Sequence, residues 1–334
     1  SQTVVQGRWH AVRDADGIFV SAVRPGAIAD AAASGGWRPD AVEADALAYF
    51  VAFDLARFEI GFALGTEHPR LGWSPRVVDS MRSPGSAGPD GIDSAAPLVR
   101  VGMLSPALSA RVAATFTGGF KREHGAFRHG ALATRNDGSH YGFIENGVVF
   151  SRLVAGLSTF YVLGDGTVDI RTWRDDDAPL QPRILHARQN GVPLLEWENS
   201  RGRAVPGALV GQWGAGNWSG SADERFRSLR AGACIIDTGS TRYLVYGYFS
   251  AAVPATMARV FQAYDCRAAM HLDMNALEHT YLAVYVRDGD QITISHLVRG
   301  MSEVDRKAAG GTVPRFVGFP DDRDFFYVLR RPSR

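Results

Sequence analysis

The sequence predicts an α/β fold of the α+β type, with a mixed, largely antiparallel sheet and a few packed helices. Three observations carry that expectation. Strand-length apolar runs recur along the chain and are joined by Asn146-Gly147, Gly164-Asp165-Gly166 and Asp288-Gly289, whose residues accept the positive φ of tight hairpin turns. The segment Pro254 to Tyr264 has a helical period, with Met257, Val260, Phe261 and Tyr264 at i, i+3, i+4 and i+7. Hydrophobic residues make up 46% of the 334 positions against 21% charged, enough for a core and without the bias of a disordered chain.

Taken in order, Arg8–Arg13 and Ile18–Val23 flank Asp14-Ala-Asp-Gly17 and read as a hairpin. Ala48–Leu55 and Phe58–Leu64 read as a second strand pair, with Asp54 either a buried acid or a strand-end turn residue. From Gly65 to Pro97 periodicity gives way to Pro, Gly, Ser and Asp, which reads as a flexible flap or a surface insertion. Ser105-Pro106 supplies an N-cap and N1 proline for a short helix over Ala107–Arg111 that feeds a strand ending at Thr117. Hairpins follow at Tyr141–Phe150 and Phe160–Trp173. Arg188-Gln-Asn190 reads as a turn, and the loop 207–220 carries Trp213 and Trp218, either stacking platforms or buried indoles. A hairpin over Arg230–Tyr246, the helix 254–264, a strand ending at Asp273, a hairpin over Tyr281–Leu297 and a closing strand at Asp324–Leu329 complete the chain.

At this length one large domain is expected, or a β-hairpin elaboration over residues 1–97, with its flexible 65–97 loop, preceding a main domain over 98–334. Thirty-six basic against 35 acidic residues give a formal charge of +1, which offers no overall field for a nucleic-acid or anionic-membrane partner. No apolar run reaches the roughly 20 residues of a membrane-spanning helix, and residues 1–20 lack a basic-then-apolar signal pattern. The chain opens on Ser1 rather than Met, which fits removal of an upstream signal or tag; an exported protein with its signal peptide removed is the expectation. Cys234 and Cys266 fit no four-ligand zinc spacing; two buried thiols are the default reading, with one bridge as the alternative in an exported chain.

Two stretches concentrate chemistry. Ala113-Ala-Thr-Phe-Thr-Gly-Gly-Phe-Lys121 and Arg267-Ala-Ala-Met-His-Leu-Asp-Met-Asn275 are apolar runs that end in polar groups, where side chains leave a core and meet solvent. Gly118 and Gly119 permit a sharp turn or close backbone approach to a ligand. Lys121, Arg122, Glu123 and His124 then precede the glycine-rich Gly125–Gly130, either an anion-binding loop or a solvated basic one. On spacing alone, Asp273 and Asn275 read first as turn caps after the strand, with a functional acid and amide as the alternative. Neither a P-loop nor a dinucleotide fingerprint nor a Gly-x-Ser-x-Gly elbow is present, and His271, Asp273 and His279 do not make a persuasive metal set. No cofactor and no metal are expected.

The ordered set Ala113–Lys121, Arg188-Gln-Asn190, Arg230-Ala-Gly, Met270–Asn275 and Arg323-Asp-Phe-Phe326 resembles the phosphodiester glycosidase family. That family includes the enzyme that uncovers mannose 6-phosphate by removing N-acetylglucosamine from its phosphodiester. The sequence departs from it in two places: Thr117-Gly-Gly-Phe stands for the family's Asn-Gly-Gly-Phe, and Leu272-Asp-Met-Asn-Ala-Leu277 for Leu-Asp-Gly-Gly-Gly-Ser. The first exchanges an amide for a hydroxyl; the second puts bulk where the family has a glycine turn.

The resemblance implies an exported hydrolase acting on a glycosyl phosphodiester or a related surface glycan. Phosphate leaves readily, so one acid suffices, with cations in place of the second carboxylate of ordinary glycosidases. Asp273 would be nucleophile or base, Lys121 and Arg230 would stabilise the departing phosphate, and His124 would be acid or hydrogen-bond donor. Thr117, Gly118, Gly119, Asn275, Arg188 and Asn190 would bind substrate. The alternative is a module that binds a sugar or phosphosugar without turnover. Lys121, His124, Arg230 and Asp273 are expected to converge on one cleft, with the strands ending at Thr117 and Asp273 in one sheet.

Overall fold

The computed structural model describes residues 5–31, 37–67, 101–121, 142–211, 227–288 and 291–332. In chain order the elements begin with β1 (His10–Ala11), β2 (Ile18–Val23), α1 (Pro25–Ala31), α2 (Ala41–Asp45), β3 (Ala48–Asp54), β4 (Phe58–Ala63) and β5 (Val112–Thr117). Next come β6 (Phe143–Glu145), β7 (Val148–Ser151), β8 (Ser158–Leu163), β9 (Val168–Thr172), β10 (Ile184–Gln189), β11 (Leu195–Glu198) and β12 (Arg203–Pro206). The last part holds β13 (Ser228–Asp237), β14 (Arg242–Ala252), α3 (Pro254–Ala263), β15 (Cys266–Met274), β16 (Leu282–Asp288), β17 (Gln291–His296), β18 (Arg306–Ala308), β19 (Gly311–Val313) and β20 (Phe325–Arg330).

These strands form an eight-stranded sheet in the order β1-β2-β3-β14-β13-β15-β11-β12, two five-stranded sheets, β7-β6-β10-β8-β9 and β17-β16-β5-β20-β4, and the ribbon β18-β19. Their ladders are antiparallel, as the hairpin turns require. At the β6–β7 turn Asn146 and Gly147 take φ of 51° and 78°, the paired positive values of a type I′ hairpin. The strands of the first 67 residues are built into two of the large sheets: β3 lies between β2 and β14, and β4 lies beside β20.

A chain of rings joins the three large sheets. Phe116 of β5 lies 5.4 Å from Tyr246 of β14 and 5.3 Å from Phe326 of β20, and Phe326 lies 4.3 Å from Phe160 of β8. Every residue of β5 and β8 is buried, which is why both read as unbroken runs rather than alternating ones. The opposite face of the eight-stranded sheet is covered by α3, whose Phe261 packs 5.9 Å from Phe50 and 5.4 Å from Phe249. The helical stripe is thus core-facing, with Met257, Val260 and Phe261 buried.

Four expectations are corrected. The strands that end at Thr117 and Asp273 belong to different sheets, β5 to a five-stranded one and β15 to the eight-stranded one. Apolar runs announce strands but not their partners. The segment after Ser105 is a short 3-10 turn, Pro106–Leu108, without a side-chain cap bond. Arg188 and Gln189 are strand residues of β10 rather than a turn. Cys234 and Cys266 are bridged, not free thiols: β13 and β15 are neighbours and bring the two Cα atoms to 5.8 Å, within disulfide range.

One acid outside the predicted set is strongly perturbed. Burial pushes the Glu145 carboxyl up to about 7, opposed by the Leu64 N–H that it accepts at 3.3 Å. Such a group contributes stability that is complete below its unfolded value near 4.5 and is lost as pH rises through about 7. Glu145→Gln is therefore expected to match wild type near pH 4 and to exceed it near pH 8 by roughly 1–3 kcal/mol in urea unfolding. Equal differences at both pH values would show that the carboxyl titrates normally.

Candidate functional site

The chemistry gathers where β15 hands the chain to a second sheet. After Met274 the chain turns at Asn275, φ 76°, and by Leu282 it is pairing with β5. Thr117 closes this junction by donating from Oγ1 to the His279 carbonyl at 2.7 Å and from its N–H to the Tyr281 carbonyl at 3.2 Å. A threonine hydroxyl suffices here because a single donor is asked of it.

Gly118 and Gly119 are closely approached by protein groups. A Cβ on Gly118 would stand 2.6 Å from Asp324 Oδ2, and one on Gly119 would stand 2.7 Å from Asn190 Oδ1. Asn190 is wholly buried and joins all three sheets: its Oδ1 accepts from the Phe120 N–H at 3.1 Å, and its Nδ2 donates to the His271 and Leu272 carbonyls at 2.7 and 2.5 Å. Arg188, also at 0% exposure, pairs from Nε with Asp324 Oδ2 at 2.6 Å and donates from Nη2 to the Phe120 carbonyl at 2.7 Å. In this arrangement both hold the loop after β5 in place.

The run Asp321–Asp324, just before β20, distributes its charges to four different partners. Asp321 accepts both prongs of the Arg315 guanidinium, at 2.7 and 2.9 Å. Asp322 pairs with Lys121, whose Nζ also lies 3.6 Å from Glu67. Arg323 pairs with Asp273, and Asp324 with Arg188. Lys121 and Asp273, 152 positions apart in the chain, are thereby paired to adjacent residues of the segment before β20.

Asp273 is 4% exposed. Burial pushes its carboxyl above the ordinary aspartate range, while the Arg323 cation, then His279 and the Met274 N–H, pull it back down. That N–H donates to Asp273 Oδ1 at 2.8 Å. The acid is therefore part of a buried ion pair as well as a strand-end residue, a role that a simple turn cap does not have.

Arg230 leaves β13 opposite Met274 of β15 and is fully buried. Its Nε donates to the Ala252 carbonyl at 2.8 Å, and Nη1 lies 3.4 Å from His271 Nε2 and 3.1 Å from Met274 Sδ. Burial lowers the guanidinium to about 9, with the Glu43 carboxylate opposing that shift. His271 is held well below its usual range by burial and by Arg230. The register of β15 against β13 shifts between Arg230 and Gly232, so simple alternation does not relate His271 to Asp273. Asn275 is exposed and accepts from Ser228 Oγ at 2.7 Å.

His124, the loop Gly125–Gly130, Trp213, Trp218 and residues 68–97 of the expected flap lie outside the described residues. Among the described residues no group of three His, Cys, Asp or Glu side chains could hold a metal ion. Sequence reasoning missed the roles of Arg323, Asp322, Asp324, Glu43 and His279. An available signal was the density of charge in Asp321-Asp-Arg-Asp324 directly before the apolar Phe325–Leu329, an unusual place for four charges unless they are paired.

No protein-family model and no curated protein matches the sequence. Among solved structures, the chain is similar to the catalytic domain of zebrafish N-acetylglucosamine-1-phosphodiester alpha-N-acetylglucosaminidase, auto-inhibited by its pro-peptide. Identity is 11% and the TM-score 0.42, over 94% of this chain and 82% of that one. A hypothetical protein from Synechocystis is similar at 10% identity and TM-score 0.40, over 86% of this chain and 59% of that one. A Burkholderia pseudomallei protein named as exported is similar at 11% identity and TM-score 0.37, over 85% and 74%. The fold class rests on the ladders of this chain itself.

Proposed function

We propose that the protein is an exported hydrolase that cleaves a glycosyl phosphodiester or a related glycan at the β5–β15 junction. The observation that supports the reading is the pairing of Asp273 and Lys121 to consecutive residues of one segment, Arg323 and Asp322. In this reaction the bond between the anomeric carbon and the phosphate oxygen breaks, and the phosphate departs with the electron pair. Asp273 either forms the new bond to carbon or takes a proton from the water that does so. Lys121 and Arg230 stabilise the charge on the leaving phosphate, and His124 serves as donor. Thr117, Gly118, Gly119 and Asn275 shape the pocket, with Arg188 and Asn190 acting from behind the loop. The buried Cys234–Cys266 bridge supports maturation in an oxidising compartment.

A binding module is the second reading, favoured by the burial of Asp273 and its existing partner. The deciding experiment is hydrolysis of a panel of sugar-1-phosphodiesters by wild type and Asp273→Asn, with melting curves on both. Turnover is expected in wild type and a fall by orders of magnitude in the variant. Because the change strands the Arg323 cation, a stability loss of roughly 3 kcal/mol accompanies it, so assays belong well below the variant's melting temperature. Undiminished turnover by the folded variant would remove Asp273 from the reaction. Ligand retained intact by wild type across the panel would establish the binding module.

A further inference from the structure

We infer that Arg323 is the positioning residue for Asp273: it fixes the carboxylate's orientation and keeps it ionised inside the junction. The inference rests on the reading of Asp273 as the reactive acid, and it concerns a residue for which that reading has no task.

The geometry makes Arg323 suited to this because its own backbone is clamped from both sides. Its N–H donates to Asp321 Oδ1 at 2.9 Å. The Asp321 carbonyl accepts from the Thr66 N–H at 3.0 Å, and the Asp321 N–H donates to the Gly102 carbonyl at 2.9 Å. Gly65 packs so closely on the run that a Cβ there would stand 2.1 Å from the Asp322 carbonyl oxygen and 2.4 Å from the Arg323 carbonyl carbon. A guanidinium delivered from such a base has little freedom, and both it and Asp273 are almost fully buried, at 5% and 6% side-chain exposure.

The other charges around Asp273 are answered elsewhere. Asp324 bears on it with like charge but is paired with Arg188. His279 comes from the connection after β15, where Nδ1 lies 2.8 Å from the Met274 carbonyl and Nε2 2.9 Å from Glu278. On β14, Tyr246 donates its hydroxyl to the Thr280 carbonyl at 2.6 Å. Arg230 and His271, on β13 and β15, face one another at 3.4 Å. Among the described residues, Arg323 is thus the cation that reaches the carboxylate as an ion pair. An unpaired aspartate at this depth would hold its proton and lose its value as nucleophile or base.

The test compares Arg323→Met and Arg323→Lys with wild type, in protein carrying a carbon-13 label at the aspartate carboxyl and with the Asp273 signal assigned through Asp273→Asn. Loss of the cation in Arg323→Met is expected to raise the titration midpoint of Asp273 by about one pH unit or more. It should also move the acidic limb of kcat/KM upward and lower kcat with KM little changed. Arg323→Lys keeps the charge but not the planar fork, so its midpoint stays near wild type while kcat falls. An Asp273 midpoint unmoved in Arg323→Met overturns the inference. Should that variant not fold, wild-type kcat in Arg323→Lys overturns it instead. Absence of turnover by wild type on every phosphodiester refutes the hydrolase reading alone, since the carboxyl titration still decides whether Arg323 governs Asp273.

Discussion

Replacing Arg188 with Met is expected to cost about 3–5 kcal/mol of stability, among the largest losses available from one side chain in this fold. The guanidinium is at 0% exposure, pairs with Asp324 at 2.6 Å, donates to the carbonyls of Phe120 and Gln189, and lies 4.7 Å over the Phe143 ring. Met retains much of the volume but none of the donors. Asp324, at 1% exposure, would then have lost the Arg188 cation, and the Phe120 carbonyl would lose a donor. Leaving buried polar groups unmatched costs far more than the net worth of the bonds lost. Arg188→Lys should rescue little, because one ammonium cannot reach the carboxylate and both carbonyls with the geometry of a fork. Urea midpoints for wild type, Arg188→Met and the double variant Arg188→Met with Asp324→Asn provide the check. The double variant should recover part of the loss, since it removes the buried charge that Arg188 had balanced. A single-variant loss below about 1 kcal/mol would mean that water or a rearranged loop replaces the guanidinium.

That position also shows what could and could not be read from the chain alone. Local signals were dependable where local physics decides. Asn146-Gly147 turned as its positive φ preference requires, and the i, i+3, i+4, i+7 stripe of 254–264 became α3 packed on the eight-stranded sheet. Arg188 was legible as a notable residue but not as a strand residue. Its reason for being buried, Asp324, stands 136 positions away. The pairing of the run Asp321–Asp324 was not legible because three of its charges have partners, at 121, 273 and 188, contributed by distant segments, and only Arg315 lies nearby. Strand existence for β5 and β15 followed from apolar runs, whereas their membership of separate sheets depends on long-range pairing that no local pattern encodes. The candidate site was read as the end of one sheet and is instead a junction between sheets, with Asn190 and Thr117 bonding across it.

The second large effect concerns the Cys234–Cys266 bridge, which the sequence left open and the β13–β15 ladder decides. The two residues are 32 positions apart, with β14 and α3 in the intervening loop. Cross-linking a loop of that length removes enough freedom from the unfolded chain to stabilise the fold by roughly 3–4 kcal/mol on the loop-entropy account. Both residues are buried, at 0% and 1% exposure, so a Cys→Ala pair also leaves two small voids and should not do better than this figure. The expected result is a urea midpoint lowered in Cys234→Ala/Cys266→Ala with an m value that rises, because an uncrosslinked chain exposes more surface on unfolding. Wild type unfolded under reductant should converge on the behaviour of the double variant. Alkylation of denatured, unreduced protein should find no thiol, and its mass should be lower than that of the reduced chain by two hydrogens. Two alkylated cysteines without reductant would show the bridge to be absent. The ladder that brings β13 beside β15 would then have to hold the candidate site's Arg230 opposite Met274 without a covalent tie, and hydrogen exchange in those strands should be correspondingly faster than in β14.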